Sequence, residues 1–110
     1  SKVFQIYDIV GPSEWEFIES RKNTAREMEH SSKEKMKNVL GIVKDVNLLV
    51  ASRNSPNFKR ISSKTNFQPV VVPSHDINEA LELLSGRLEE MRSFVTKRST
   101  GDRSAGVVIL

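Results

Sequence analysis

The sequence predicts an α+β domain with two long amphipathic helices, which carry heptad seams, and short strands in the order β-α-β-α-β. Three observations lead to this prediction. Runs rich in β-branched and aromatic residues lie at 2–10 and 67–72. Apolar residues recur at alternating steps of three and four within 36–50 and 77–95. The stretch 13–55 contains no proline that would break a helix. An all-α helical hairpin or coiled coil is the alternative.

Length and composition limit the classes of protein to which the chain can belong. Its 110 residues suit a single domain over 1–110, and the start at Ser1 leads us to expect a fragment of a longer protein. The chain has no cysteine, which excludes disulfides and thiolate metal sites. Its apolar runs fall far short of the roughly 20 residues that span a bilayer. We therefore expect an intracellular protein of the cytoplasm or nucleus.

The first long helix is predicted to begin at Ser13, after a strand over 2–10. Ser13 is followed three residues later by Glu16, which is a capping-box pattern. The helix would then continue for about 40 residues, or roughly 60 Å at about 1.5 Å per residue. A second capping-box pattern at 31–34 leaves a break near His30 open.

The heptad seams of the two helices are the predicted interface. The seam in the second half of the first helix is wide enough to need two neighbours. The second helix, over 76–98, carries a seam of the same kind. We expect these seams to bind a second copy of the chain, giving a homodimer, or another protein. The interface residues are Met36, Val39, Val43, Val46, Val50, Leu81, Leu84, Leu88, Met91 and Val95.

A polar, basic loop over 52–66 is predicted between the helices. Residues 35–75 carry seven Lys and Arg against Asp45 alone, a net charge of +6, so an anionic partner would bind here first. Two pairs of basic residues are followed by serines, a pattern typical of kinase sites. Phosphorylation there would lower the local positive charge. The candidate anion-binding residues are Arg53, Lys59, Arg60 and Lys64, and the candidate phosphorylation sites are Ser62 and Ser99.

Two short strands complete the predicted fold. Pro69 limits the strand over 67–72 to the edge of a sheet, or else the proline lies among the first residues of the strand. A loop over 99–106 precedes the apolar residues 107–110, which can form a third strand. If those residues were a free C-terminus, a PDZ domain could bind them by strand addition.

Ser74, His75 and Asp76 are the residue types of a hydrolase triad, but their spacing favours the start of a helix. The members of a working triad are joined in sequence by hydrogen bonds, and adjacent residues at a helix start point in different directions. Capping explains all three positions, because Ser and Asp accept hydrogen bonds from the free N–H groups of a first helical turn. We therefore predict no catalytic residue.

The sequence predicts no metal site and no cofactor. His30 and His75 are the only histidines, and they lie 45 positions apart. Glu27 and Glu34 flank His30 at helical spacing, but ordinary charge pairing on an exposed face explains them better than a partial metal site does. No small-molecule substrate is evident.

These observations together favour a non-enzymatic module for protein–protein interaction or self-association, acting as a scaffold or regulatory domain. The two seams and the lack of a reactive group of residues support this interpretation. The alternative is a small basic domain that binds nucleic acid through 53–64. A dimer mass in light scattering would favour the first, and salt-dependent nucleic-acid binding would favour the second.

Overall fold

A computed structural model of the protein describes residues 3–23 and 32–110. Within them, the chain forms a two-stranded sheet, a three-stranded sheet and short helices. The elements are β1 (Val3–Gly11), β2 (Glu14–Lys22), α1 (Ser32–Ile42), β3 (Leu48–Ala51), α2 (Pro56–Lys64), β4 (Gln68–Val71), α3 (Ile77–Gly86), α4 (Leu88–Ser99) and β5 (Val108–Ile109).

Pro12 and Ser13 form the tip of a β-hairpin, so the predicted helix start at Ser13 is wrong. β1, which was predicted, pairs antiparallel with β2, and Gly11 lies opposite Glu14. Ser13 has a φ of 56°, and a proline followed by a positive φ is the pattern of a type II turn. Glutamates and aromatic residues alternate over 14–17, and this period of two indicates a strand. The alternation outweighs the capping-box pattern.

The first predicted seam does not lie on one helix, because α1 has only 11 residues. Val39 is in α1, Val43 is buried just beyond its end, and Val46 lies in the connection to β3. Val50 belongs to β3 itself. Met36 is in α1, but its side chain lies outside the described part. A run of four apolar residues fits a short strand as well as a helical stripe, which is why the heptad pattern misled. The break predicted near His30 also lies outside the described residues.

β3, β4 and β5 form a parallel sheet with β4 in the middle. The strands predicted over 67–72 and 107–110 are therefore confirmed, and the backbone N–H of Leu110 donates to the Val71 carbonyl at 2.9 Å. Pro69 is the second residue of β4 and is buried. Because β4 is not an edge strand, the proline is tolerated through its place near the start of the strand.

The stretch 52–66 is not simply a loop, because it contains α2. The Ser55 side chain accepts the Phe58 N–H at 3.3 Å, and Pro56 occupies the first helical position, where no N–H is needed. Ile61 is buried on the inner side of this helix, while its cations face solvent. The Ser-Pro pair was the signal for α2, and the high polarity of the stretch concealed it.

The second predicted helix is two helices, α3 and α4, which meet at Arg87. Asp76 caps α3, since its Oδ1 accepts the N–H groups of Asn78 and Glu79 at 2.8 and 3.2 Å. The predicted cap is thus confirmed. The seam on α3 and α4 faces the interior of this chain rather than a coiled-coil partner. Its buried members are Leu81, Leu84, Leu88 and Met91, and Val95 is partly buried.

One hydrophobic cluster joins the two sheets to α3 and α4. Val70 and Val72, in and just after β4, pack with Leu84 of α3 and Met91 of α4. Ile9 of the hairpin and six other apolar side chains, among them Val108 of β5 and Leu110 just after it, pack against this cluster. The hairpin is also fastened at its other end, where Arg21 makes two hydrogen bonds to the Asp45 carboxylate at 2.6 and 2.9 Å.

The fold is a small α+β domain, but the predicted pair of long helices is wrong, and so is the all-α alternative. The order β-α-β-α-β is roughly retained. In the described ranges the longest helix has 12 residues, too few for the three to four heptads or more of a coiled coil. Within those ranges no helix has both the length and the apolar character needed to cross a membrane.

Candidate functional site at the carboxyl edge of the parallel sheet

The loops that follow β3 and β4 leave the sheet at the same edge. Ala51 and Val71, the last residues of these strands, are register partners, and the Val72 N–H donates to the Ala51 carbonyl at 2.9 Å. α2 and α3 each begin a few residues after their strand, so both helix N-termini lie near this edge. In open parallel sheets, the crevice beyond the carboxyl ends of the strands is the usual place for a ligand.

Ser52 and His75 connect the two loops across this edge. The Ser52 Oγ and the His75 Nδ1 are 2.9 Å apart, a hydrogen bond between residues 23 positions apart in sequence. Ser52 is half-buried and His75 is exposed. No described residue hydrogen-bonds to the Nε2 of His75, so this nitrogen can meet a ligand. The sequence drew attention to His75 but did not indicate its partner.

The backbone around His75 is held by its two neighbours. The Ser74 Oγ accepts the Asp76 N–H at 3.0 Å and donates to the Glu79 carboxylate. Asp76 is fixed in turn as the cap of α3. His75 therefore lies in a short turn that is fixed by hydrogen bonds. Ser52, the residue after β3, hydrogen-bonds to its ring.

The candidate anion-binding residues extend from this edge along α2. Arg53 is in the loop that leads to α2, and Lys59, Arg60 and Lys64 are exposed on α2 itself. Not one of the four makes an ion pair with a residue in the described ranges. Arg103, which was not among the residues predicted from the sequence, adds a further exposed cation beside α2, where it donates to the Ser63 carbonyl at 3.3 Å. Arg53 therefore places positive charge close to the carboxyl edge, whereas Lys64 and Arg103 lie toward the far end of α2.

A buried arginine at the far end of α2 was also missed. Arg98 is 1% exposed, and its guanidinium donates to carbonyl, amide and hydroxyl oxygens. Its Nη2 donates to the Ser62 Oγ at 2.9 Å, so the hydroxyl of this candidate phosphorylation site is buried and hydrogen-bonded. Ser99, the other candidate, is exposed and donates to the Thr96 carbonyl. A kinase could reach Ser99 directly, whereas Ser62 would first require local opening.

The described residues offer few donors to a metal. The whole sequence lacks cysteine, and His30, the second histidine, lies outside the described residues. Across 3–23 and 32–110, no group of three His, Cys, Asp or Glu side chains is arranged to hold a metal ion. At the carboxyl edge, the Nε2 of His75 is available to a ligand. The nearby carboxylates of Asp76 and Glu79 already accept hydrogen bonds at the start of α3.

A family model described as dinitrogenase iron-molybdenum cofactor matches residues 1–87. Comparison with curated proteins and with solved structures gave no match. The family overturns the expected interaction or scaffold module, together with its nucleic-acid-binding alternative, because it indicates a role connected with a cofactor. The sequence patterns did not indicate this role, because they contain no recognisable motif of metal ligands. The match covers most of the chain, which therefore belongs to the dinitrogenase iron-molybdenum cofactor family.

Proposed function

We propose that this protein is a non-enzymatic carrier that holds an iron–molybdenum cofactor, or a metal–sulfur precursor of it, at the carboxyl edge of its parallel sheet. The cofactor is cargo rather than a resident prosthetic group. The observation that carries the proposal is the braced imidazole of His75, whose Nδ1 is engaged by Ser52 at 2.9 Å while Nε2 makes no bond to a described residue. A neutral imidazole with one nitrogen engaged in this way is a common metal ligand.

The donor set suits cargo better than a permanent centre. Iron–sulfur clusters that stay in a protein are usually held by several cysteine thiolates, and this chain has none. A cluster brings its own sulfide ligands, so one imidazole can complete the coordination of one metal atom. Attachment at a single point also leaves few bonds to break when the cargo is transferred.

Charge near the edge favours a cargo that carries negative charge. The N-termini of α2 and α3 direct partial positive charge toward this edge. Arg53 adds a full positive charge that no described carboxylate neutralises. Asp76 and Glu79 offset part of the effect at α3, which leaves the α2 side as the more attractive one.

The two histidines provide a matched test. His75→Ala should lower the affinity for isolated iron–molybdenum cofactor at least tenfold, because it removes the coordinating nitrogen. His30→Ala should retain wild-type binding. Bound cofactor is measured as molybdenum that elutes with the protein in gel filtration, and circular dichroism verifies that both variants fold. Full binding by His75→Ala would refute the proposal, as would a loss found only in His30→Ala.

A carrier must also meet the proteins that supply and receive its cargo, so a protein partner is part of the proposal. The homodimer expected from the heptad seams stays a prediction for light scattering. The leucines of the second seam are unavailable to it, because they are buried inside one chain. A cytoplasmic location accompanies this proposal, and no observation supports the nuclear alternative.

A further inference from the structure

We propose that Ser52 is the positioning residue of the site: its hydroxyl accepts the Nδ1–H of His75 and so fixes the tautomer in which Nε2 presents a lone pair. The assignment of cargo to this lone pair rests on the proposed function, whereas the tautomer itself does not. The evidence is the distance of 2.9 Å between the Ser52 Oγ and the His75 Nδ1.

His75 is fixed by two separate segments, one of which holds its backbone and the other its ring. Its backbone lies between Ser74, whose Oγ accepts the Asp76 N–H at 3.0 Å, and the residue that caps α3. Its ring is held from the end of β3, whose position relative to β4 is fixed by the parallel ladder. A side chain that is fixed at both backbone and ring loses little freedom when it binds a metal, which favours binding.

The hydrogen bond can run in either direction, and the surroundings favour one of them. If the Ser52 hydroxyl donated to Nδ1, the ring proton would lie on Nε2 and Ser52 would resemble a serine nucleophile beside its base. In such dyads and triads a third group, usually a carboxylate, orients the other ring nitrogen. No described carboxylate reaches the Nε2 of His75. The opposite direction, with Nδ1–H as donor, matches the arrangement of histidines that bind metals.

The tautomer can be measured without any cargo. The test uses ¹⁵N NMR of the imidazole nitrogens of the whole protein, at a pH well above the ordinary histidine value of about 6.5. We expect the proton of His75 to lie on Nδ1, to redistribute toward Nε2 in Ser52→Ala, and to return in Ser52→Thr. Ser63→Ala is the matched control, because that hydroxyl donates to the Arg60 carbonyl within α2 and does not contact His75. A proton on Nε2 in the wild type, or no change in Ser52→Ala, would overturn the proposal.

Ni²⁺ alone serves as the probe of the lone pair, followed through the His75 signals. Ser52→Ala should weaken this binding about tenfold, the lower end of the range for residues that orient metal ligands, and Ser52→Thr should restore it. Equal Ni²⁺ binding by the wild type and Ser52→Ala counts against a positioning role. If the tautomer depends on Ser52 but the isolated cofactor does not bind, the carrier function fails and this inference stands. If the cofactor binds through His75 regardless of Ser52, only this inference fails.

Discussion

Arg98 is a cation buried among neutral oxygen atoms. It donates to the Gln68 Oε1 at 2.7 Å, to the Ser62 and Thr65 carbonyls at 2.9 and 3.2 Å, and to the Gly106 carbonyl at 3.0 Å. Burial lowers the pKa of this guanidinium. Two of its acceptors lie at the C-terminal end of α2, where the helix dipole favours a positive charge. One side chain thereby ties together α2, β4 and the segment before β5.

Replacing this arginine should be costly. Arg98→Met keeps a long apolar stem but leaves several buried oxygen atoms without a donor, so we expect a loss of about 3 kcal/mol in the free energy of unfolding. Urea denaturation measures it. Arg92→Met on the exposed side of α4 is the control and should change stability by no more than about 0.5 kcal/mol. Similar losses in both variants would show that the buried bonds do not stabilise the fold.

The ion pair between Arg21 and Asp45 should make the stability of the fold depend on pH in the acid range. Hydrogen bonds from Arg21 lower the pKa of Asp45 from its ordinary value of 3.8 to about 2. A carboxyl group whose pKa is lower in the folded than in the unfolded protein stabilises the fold at pH values above its unfolded-state pKa. This contribution is lost as the pH falls through the folded-state pKa. Wild-type stability should therefore fall between about pH 4 and pH 2 partly because of Asp45.

The variant Asp45→Asn isolates this contribution. It should be less stable than the wild type near neutral pH and should show a shallower loss of stability over the same acid range. Thermal unfolding followed at a series of pH values measures both. Glu82→Gln on the exposed side of α3 makes a suitable control, because Glu82 has no ion pair with a described residue, and it should retain the wild-type slope. An unchanged slope in Asp45→Asn would contradict the prediction.

Among the elements, the β1–β2 hairpin shows how two local signals can compete. Ser13 fits the first position of a capping box, yet the alternation that begins at Glu14 specifies a strand. Once β2 forms, Pro12 and Ser13 must turn the chain within two residues, and Ser13 takes a φ of 56°. A left-handed conformation costs a non-glycine residue about 1–2 kcal/mol.

The effect of a substitution at Ser13 on stability should therefore depend on how readily the new residue adopts a positive φ. Ser13→Gly should stabilise the protein by about 0.5–1 kcal/mol, because glycine adopts a positive φ without strain. Ser13→Val should destabilise it by about 1–2 kcal/mol, since a β-branched residue strongly resists this conformation. Chemical denaturation gives both values. At Ser20, within β2, the order should reverse, with valine better tolerated than glycine. The same order at the two positions would argue against the turn.

The elements that the sequence predicted well are those determined locally. β1, β4 and the Asp76 cap follow from short runs and a helix-start pattern. α1 was extended too far, because the apolar residues of β3 continue its helical period by coincidence. α2 was not predicted, because few apolar residues lie on its buried side and no helical stripe is evident in the sequence. For the candidate site, His75 was visible in the sequence, but its bond to Ser52 depends on the parallel pairing of two strands and could not be inferred from spacing.

At the scale of the whole molecule, the folded unit is longer than the part that matches the family. The match ends at 87, but the core continues into α4 and β5. Leu88, Met91 and Arg98 are all buried, and Val108 pairs with β4 while packing against the central cluster. Residues 88–110 therefore belong to the same cooperative structure as the candidate site.

A fragment of residues 1–87 should consequently fail to fold. It would expose the β4 edge and the apolar face of α3, and it would leave the acceptors of Arg98 without their donor. Large core losses of this kind exceed the marginal stability of a small domain, which is about 5–15 kcal/mol at most. We expect no cooperative thermal transition for this fragment. A chain of residues 1–106, which lacks only β5 and its neighbours, is the control and should melt cooperatively at a lower temperature than the full chain. Calorimetry of the three proteins tests this order, and a cooperative transition in 1–87 would mean that the family-matched part folds by itself.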